Sequence, residues 1–491
     1  MSVPESDPQP HSEEAAELRS YCRGTPPLTA RLEGWMSSLL EDAPEQIRNA
    51  VAEFGSPLNV VATGPFVRNI ESLDRVARRH EIDFRVFFAR KANKCLSFVD
   101  AALQAGAGID VASEHECAQA LSRGSLGSDM VCTAAIKPEA LIKLCIEHQV
   151  TIVVDNVDEL KLACSIASAL QRTFPIAIRI SGFEHEGEKL FSRFGFDIEE
   201  INDLAAVLAT LSADVQLVGV HFHLDGYCPR QRVSAICQCL PLIDRLRDLG
   251  SPIEFLDIGG GFPMRYLDSE AEWDTFWATH EEAIRGRRES VTWRNHGLGL
   301  QAIDGKIVGR WNLYPYYQKL IREEWLDGIL ASEMRASVTI ADAIRQRKLQ
   351  LRCEPGRSLL DGGGMTVARV EFCKRHPSGE HLIGLAMNRT QCRTGSDDFL
   401  VDPILLRQPN AESTSPCEGY LVGAYCTESD SILMRRFRFP NGIGRGDLIV
   451  LPNTAGYLMH FLESRSHQFE LARNVVLESG NRFCLDAIDA R

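Results

Sequence analysis

No two of the fifteen cysteines in this 491-residue chain form a C-x-x-C pair, so the usual zinc and dithiol redox signatures are missing. Scattered at Cys95, Cys117, Cys132, Cys145, Cys237, Cys239 and elsewhere, they read as reduced, small apolar residues, and no metal site is expected. An excess of basic charge is also lacking. The formal net charge is -14 and the pI is near 5.5, which argues against nucleic acid as the main partner because phosphate binding needs a basic face. No apolar run reaches the roughly 18 residues of a membrane span. The chain does not begin with the basic, then apolar order of a secretion signal; residues 1–25 read instead as a polar, acidic, disordered tail. These absences give the expectation of a cytoplasmic protein with neither membrane nor nucleic acid as partner.

A 44% hydrophobic, 24% charged composition is that of a folded globular chain, and the length suits two domains. From residue 84 onward short apolar, β-branched runs alternate with helical patterns, the mark of repeated βα units. Eight such runs occur, at 84–89, 108–111, 130–133, 151–155, 176–180, 216–221, 254–258 and 350–353. Helices are expected between them at 114–123, 157–170, 198–211 and 230–249, where apolar residues recur at three- and four-residue spacing. The predicted fold is an α/β (β/α)8 TIM barrel followed by a C-terminal β domain. About ninety residues separate the seventh run from the eighth, more than a βα loop and helix need. An insertion rich in Trp and Tyr is therefore placed at 265–341. It reads either as a surface embellishment with its own small core or as a lid, since an insertion after a barrel strand emerges on the catalytic face. Short strands with Gly and Pro turns follow, at 419–425, 432–439 and 447–451. The expected domains are a segment 26–62 that joins the β domain, a barrel over 63–364 and a β domain over 365–491.

Chemistry-bearing residues collect where these runs end, which in a barrel of this kind is the catalytic face. Lys91 follows the first, where partial desolvation lets a lysine lose its proton and form a Schiff base. Asp110 ends the second, Asp155 the fourth, and Arg179 lies in the fifth. The sixth runs into His221-Phe222-His223, the seventh into Asp257-Ile258-Gly259-Gly260-Gly261, and the eighth into Glu354-Pro355-Gly356-Arg357. Consecutive glycines let backbone N–H groups approach an anion. A phosphate site, a lysine for a carbonyl and a histidine to cover an aromatic ring together describe pyridoxal 5′-phosphate.

These motifs, in this order, resemble those of the fold-type III pyridoxal-phosphate decarboxylases, the group of diaminopimelate, ornithine and arginine decarboxylases. The resemblance implies a barrel of the alanine racemase type and a homodimer with shared active sites. It implies an α-amino acid as substrate, decarboxylated through a Lys91 Schiff base and a quinonoid. By the same resemblance His223 stacks on the cofactor ring and Glu354 pairs with the pyridine nitrogen. Gly259, Gly260, Gly261, Gly356, Arg357 and Tyr457 hold the phosphate, and Asp110 and Glu116 support the lysine. Cys426, within Gly423-Ala424-Tyr425-Cys426-Thr427-Glu428, matches the cysteine motif contributed by the partner subunit and is the implied proton donor.

Three departures from the family pattern stand out. Thr427 replaces the acidic residue that reads the substrate's distal amine, with Glu428 one place later. His223-Leu224-Asp225-Gly226 replaces His-x-Gly-Ser, losing a phosphate-binding serine and bringing in a carboxylate. The Arg-Pro pair that helps bind a substrate carboxylate is missing from 388–406, leaving Arg389 or Arg393 as substitutes. These changes leave the substrate open and keep two other functions in view. One is amino-acid racemisation, which Glu354 disfavours because the related racemases place an arginine at the pyridine nitrogen. The other is a non-catalytic homologue that regulates a partner protein.

Overall fold

The computed structural model describes residues 18–200, 215–335, 337–395, 398–409 and 415–490, which divide into two compact units. One contains Thr63–Met264 and Lys319–Asp361 and holds a closed parallel barrel of eight strands. These are β1 Phe84–Ala89, β2 Gly108–Val111, β3 Met130–Cys132, β4 Thr151–Val154, β5 Phe174–Ser181, β6 Val215–Phe222, β7 Phe255–Asp257 and β8 Gln350–Cys353. Each pairs in parallel with the next, and Leu351 of β8 stands opposite Phe84 of β1 to close the ring. The eight runs read from the sequence are these strands, with ends moved by no more than two residues.

Strands β2 and β4 are buried along their whole length, as expected of parallel strands covered by helices. Phe87, Val131, Val153, Ala177 and Phe255 form one buried apolar cluster contributed by five strands; full burial of such side chains stabilises by about 1.5–3 kcal/mol each. Two glycines make room for the large members. A Cβ at Gly108 would lie 2.4 Å from the Phe87 ring, and one at Gly219 would lie 2.1 Å from the Phe255 ring.

Some of the barrel helices start at capping residues. Ser113 accepts the Glu116 amide to begin Glu114–Ser122, and Asn156 accepts the Glu159 amide to begin Val157–Leu170. The helix expected at 230–249 spans Pro229–Asp248. Of that expected at 198–211, Ile198–Glu200 forms a 3-10 turn and residues 201–211 lie outside the described residues. Among the described residues no helix is long and apolar enough to cross a membrane.

The other unit gathers the described residues up to Ala62, Arg265–Gln318 and Gly362 onward. Its organising strand is Gly364–Arg375, which pairs antiparallel with Leu58–Val61, Leu448–Pro452 and His381–Leu385. Helices Gly34–Glu41 and Pro44–Phe54 bury Leu39, Ile47 and Val51 in one core with Val60, Val367 and Val450. The 265–341 span is divided between the units. Tyr266 donates its amide to the Tyr316 carbonyl at 2.9 Å, so 265–318 forms an excursion with adjacent ends. Its rings pack on one another and on Phe399. The following helices, Arg322–Leu330 and Ile340–Gln346, belong to the barrel unit.

Two C-terminal strands are shorter than their apolar runs suggest: Cys417–Val422 and Phe437–Phe439. The residues between are folded about buried Asp430, whose carboxylate accepts the amides of Arg389 (3.0 Å) and Tyr425 (2.8 Å).

Candidate active site

Lys91 sits in the 3-10 turn Arg90–Ala92 directly after β1. Arg90 is 1% exposed and donates Nη1 to the Cys95 carbonyl at 3.0 Å and Nη2 to Gln119 Oε1 at 2.9 Å. Asn93 Oδ1 accepts the Cys95 amide at 2.9 Å. With these neighbours tied inward, Lys91 donates Nζ–H to Asp110 Oδ2 at 2.9 Å and to Thr133 Oγ1 at 3.3 Å. Thr133, the residue after β3, donates its hydroxyl to Asp110 Oδ1 at 2.6 Å. The Asp110 side chain is fully buried whereas that of Lys91 is 35% exposed. Burial raises the Asp110 carboxyl above its ordinary value and the charge of Glu354 adds to this, while Lys91 and Thr133 pull it back. Glu116 accepts the Ala112 amide at 2.7 Å and so ties the loop after β2.

A second polar cluster is made by β6, β7 and β8. One ring nitrogen of His221 and one oxygen each of Asp257 and Glu354 all lie within 4.8 Å of one another, and all three residues are buried. His221 Nε2 is 3.3 Å from Glu354 Oε1, yet among the described residues neither atom has a partner in hydrogen-bonding geometry, nor does Asp257 Oδ2. A nitrogen with two carboxylates is a donor set that can also ligate a divalent cation. Burial pushes Asp257 well up, reinforced by the charge of Glu354. It also raises Glu354, opposed by the positive charges of Lys91 and Arg179. His221 is pushed well below its usual value by burial and then by Arg179, which keeps the imidazole neutral. Arg179 stands 4.0 Å from Asp155 and over the Phe194 ring at 4.3 Å.

His223 Nδ1 accepts the Gly260 amide at 3.1 Å. That bond assigns the single proton of the neutral ring to Nε2, and burial pushes the histidine well below its usual value. Gly259 donates its amide to Asp257 Oδ1 at 2.8 Å. Glycine is required here: at Gly259 (φ +66°) a Cβ would lie 2.5 Å from the Phe222 carbonyl, and at Gly261 (φ +80°) 2.4 Å from Arg232 Nη2. Gly356 and Arg357 open the short helix Gly356–Leu359 after β8. A cavity of about 670 Å³ is lined by Arg179, Arg193, Phe194, His223 and Asp225.

Residues 67–296 match the family described as pyridoxal-dependent decarboxylase, pyridoxal binding domain. Over 461 residues the chain is 31% identical to the uncharacterized protein y4yA of Sinorhizobium fredii, a match that covers 93% of this chain and 94% of that one. The chain belongs to the pyridoxal-dependent decarboxylase family. A relative from Pseudomonas fluorescens, a diaminopimelate decarboxylase, is 28% identical over 76% of each chain. The family fold is shared with the diaminopimelate decarboxylase of Helicobacter pylori solved with L-lysine, at a TM-score of 0.67, 18% identity and coverage of 90% of this chain and 98% of that one. The lysine/ornithine decarboxylase of Vibrio vulnificus solved with putrescine gives 0.65 at 18% identity, covering 91% and 99%.

The decarboxylase-family cofactor fits the residues present. A pyridine nitrogen needs an acceptor, and the buried Glu354 Oε1 has no hydrogen-bond partner among the described residues. A ring needs a flat neighbour, and His223 is a neutral imidazole fixed by Gly260. An aldehyde needs an amine within reach, and the Lys91 side chain is partly exposed. Lys91, Asp110, His223, Gly259, Gly260, Gly261, Glu354, Gly356 and Arg357 all lie in the barrel unit, whereas Cys426 and Tyr457 belong to the other unit. Cys426 is exposed in the loop organised by Asp430, and Tyr457 has a positive φ of 70°. Arg393 is committed: buried, it donates Nη2 to Asp398 at 3.2 Å and to the Ser431 carbonyl at 2.9 Å. Arg389 is bound to the Ser429 carbonyl at 3.0 Å. Glu428 is 87% exposed and pairs with Arg294 at 3.1 Å.

Thr133 and Arg232 are site residues that the sequence reading passed over. Thr133 follows a barrel strand just as Lys91 does, so its position was a usable signal. Arg232 carried none, because Arg230-Gln231-Arg232 at a helix start reads as a solvated face.

Proposed function

We propose that the protein decarboxylates an α-amino acid with pyridoxal 5′-phosphate, the amino acid itself being unassigned. The observation that carries the reading is the buried Glu354 Oε1, which among the described residues lacks a hydrogen-bond partner, in a barrel where Asp110 beside Lys91 has both oxygens bonded. The cofactor, when bound, supplies an aldehyde for an amine to capture and a ring that takes up the electron pair left by departing carbon dioxide. Lys91 is the attaching amine, and Asp110 Oδ2 is where its proton is held. Glu354, facing the cationic charge of Lys91 and Arg179, keeps a proton on the pyridine nitrogen and so deepens the electron sink. Neutral His223 offers a ring face without adding charge. Gly259, Gly260, Gly261, Gly356, Arg357 and Tyr457 hold the phosphate. Cys426 delivers a proton to Cα, and the working form is a homodimer in which each subunit lends that cysteine to the other. The exposed Glu428, already paired with Arg294, and Thr427 do not supply an evident site for a distal ammonium, because a hydroxyl cannot replace a carboxylate there. Substrate choice is therefore expected to differ from that of relatives acting on basic amino acids.

The test is the visible absorption spectrum of purified protein with pyridoxal 5′-phosphate, before and after borohydride, beside Lys91→Ala. Wild type is expected to show a band that borohydride fixes covalently, and Lys91→Ala to show none and to lose turnover by more than about 10³-fold. Fixation in the variant, or none in wild type, would refute the reading and turn attention to a regulatory protein partner.

A further inference from the structure

Arg232 is a buried cation with no ion-pair partner among the described residues. It stands in the first turn of helix Pro229–Asp248, which follows β6, and is 1% exposed. Its Nη2 donates to two carbonyls, Gly260 at 2.6 Å and Leu224 at 3.1 Å, and Nη1 has no partner among the described residues. Carbonyl oxygens satisfy N–H groups without neutralising the charge. Among the described residues no carboxylate pairs with it. Burial pulls the guanidinium down to about 9, and Tyr227 and then Asp225 oppose this only through the electrostatic field. The Trp325 ring lies 5.7 Å away. Leaving such a charge in a dry interior costs several kcal/mol, so a buried arginine of this kind is normally paired.

What lies beside it is the glycine loop. A Cβ on Gly261 would fall 2.4 Å from Arg232 Nη2, and the carbonyl held most tightly is that of Gly260. The loop's own donors are partly spent, since the Gly259 amide is given to Asp257 and the Gly260 amide to His223. A dianion at this loop would find fewer free backbone N–H groups than a nest of three offers, and an uncompensated guanidinium behind it.

We infer that Arg232 is the counter-charge of a phosphate held at the Gly259–Gly261 loop, a binding residue that stabilises the phosphorylated ligand from behind the loop. The identity of that phosphate as the cofactor's rests on the function proposed above; the anion site itself does not. Its loss is felt in two places with opposite sign. Without ligand, Arg232→Met removes an unpaired buried charge and raises the melting temperature. With ligand, the same change removes the attraction that holds the phosphate.

The experiment compares wild type, Arg232→Met and Arg232→Lys, all freed of cofactor. Thermal stability is measured in buffer and with inorganic phosphate, and dissociation constants are measured for pyridoxal 5′-phosphate and for pyridoxal, which lacks the phosphate. Arg232→Met is expected to weaken inorganic phosphate and pyridoxal 5′-phosphate by about tenfold to a hundredfold, the range for a charge-assisted hydrogen bond, and to leave pyridoxal unchanged. Arg232→Lys, which keeps the charge, should lose less. An unchanged ratio of pyridoxal 5′-phosphate to pyridoxal affinity in both variants would overturn the inference and leave Arg232 a brace for two carbonyls. Wild type that binds inorganic phosphate through Arg232 yet fixes no cofactor on Lys91 would refute the proposed function and uphold the anion site.

Discussion

Asp110 and Asp257 are both fully buried carboxylates at the ends of barrel strands, and their surroundings diverge. Asp110 accepts an ammonium and a hydroxyl, one on each oxygen. Asp257 has a backbone amide on Oδ1 and, among the described residues, no partner on Oδ2, with Glu354 as its neighbour. A charged Asp110 is therefore paid for by its neighbours, whereas a charged Asp257 faces a second carboxylate in a dry interior. The same residue type thus serves two ends. Beside Lys91 it is an anion that manages a proton; beside Glu354 it is a group that tends to keep its own.

Replacing each aspartate by asparagine separates these roles, and the larger effect belongs to Asp110. Asp110→Asn removes the carboxylate bonded to Lys91 and is expected to lower turnover by about 10²-fold, within the range for a positioned acid or base, with slower covalent attachment of the cofactor measured by stopped-flow absorbance. A smaller response, under about tenfold in turnover, is expected for Asp257→Asn, since asparagine mimics the protonated carboxyl. Its signature lies in stability. A carboxyl raised well above its ordinary value, as burial and Glu354 raise Asp257, contributes stability that is full below about pH 4 and is withdrawn as pH rises through the higher folded value. Asp257→Asn should therefore flatten that decline, so that its melting temperature gains on wild type as pH rises. Equal loss of turnover in the two variants would erase the distinction.

How far such differences can be read from the chain depends on where the determinants lie. The eight barrel strands were legible because each is a short, largely buried apolar run set between helical patterns, and some of those helices begin at a capping residue such as Ser113 or Asn156. The position of Lys91, Asp110, His223 and Glu354 at or just beyond barrel strands was legible from the same runs, and strand ends mark one face of a barrel. The shortening of Cys417–Val422 was not, because it is set by Asp430, whose carboxylate gathers amides from residues 389 and 425. Nor was the division of 265–341, which follows from Tyr266 meeting Tyr316 across fifty residues. Arg232 was hidden for a related reason. Its burial comes from the packing of the helix start against the Gly260 loop, a contact that helical spacing does not encode.

The smallest effect sharpens the Asp110 side alone. The Thr133 hydroxyl donates to Asp110 Oδ1 at 2.6 Å and accepts from Lys91 at 3.3 Å, so it favours the ionised carboxylate. Thr133→Val keeps the shape of the side chain and removes that donor. The Asp110 carboxyl, already raised by burial, then loses one of the interactions that pull it down, and a higher pH is needed to ionise it. If turnover requires ionised Asp110, the acid limb of the pH–rate profile must move to higher pH in Thr133→Val, with a loss of about threefold to tenfold near neutrality, the effect of one modest hydrogen bond. On the alkaline side of that limb the variant should recover toward wild type, because Asp110 is ionised in both. A pH-independent loss would instead assign Thr133 to holding Lys91 in place, through the contact at 3.3 Å, and would leave the ionisation of Asp110 to its pairing with the ammonium.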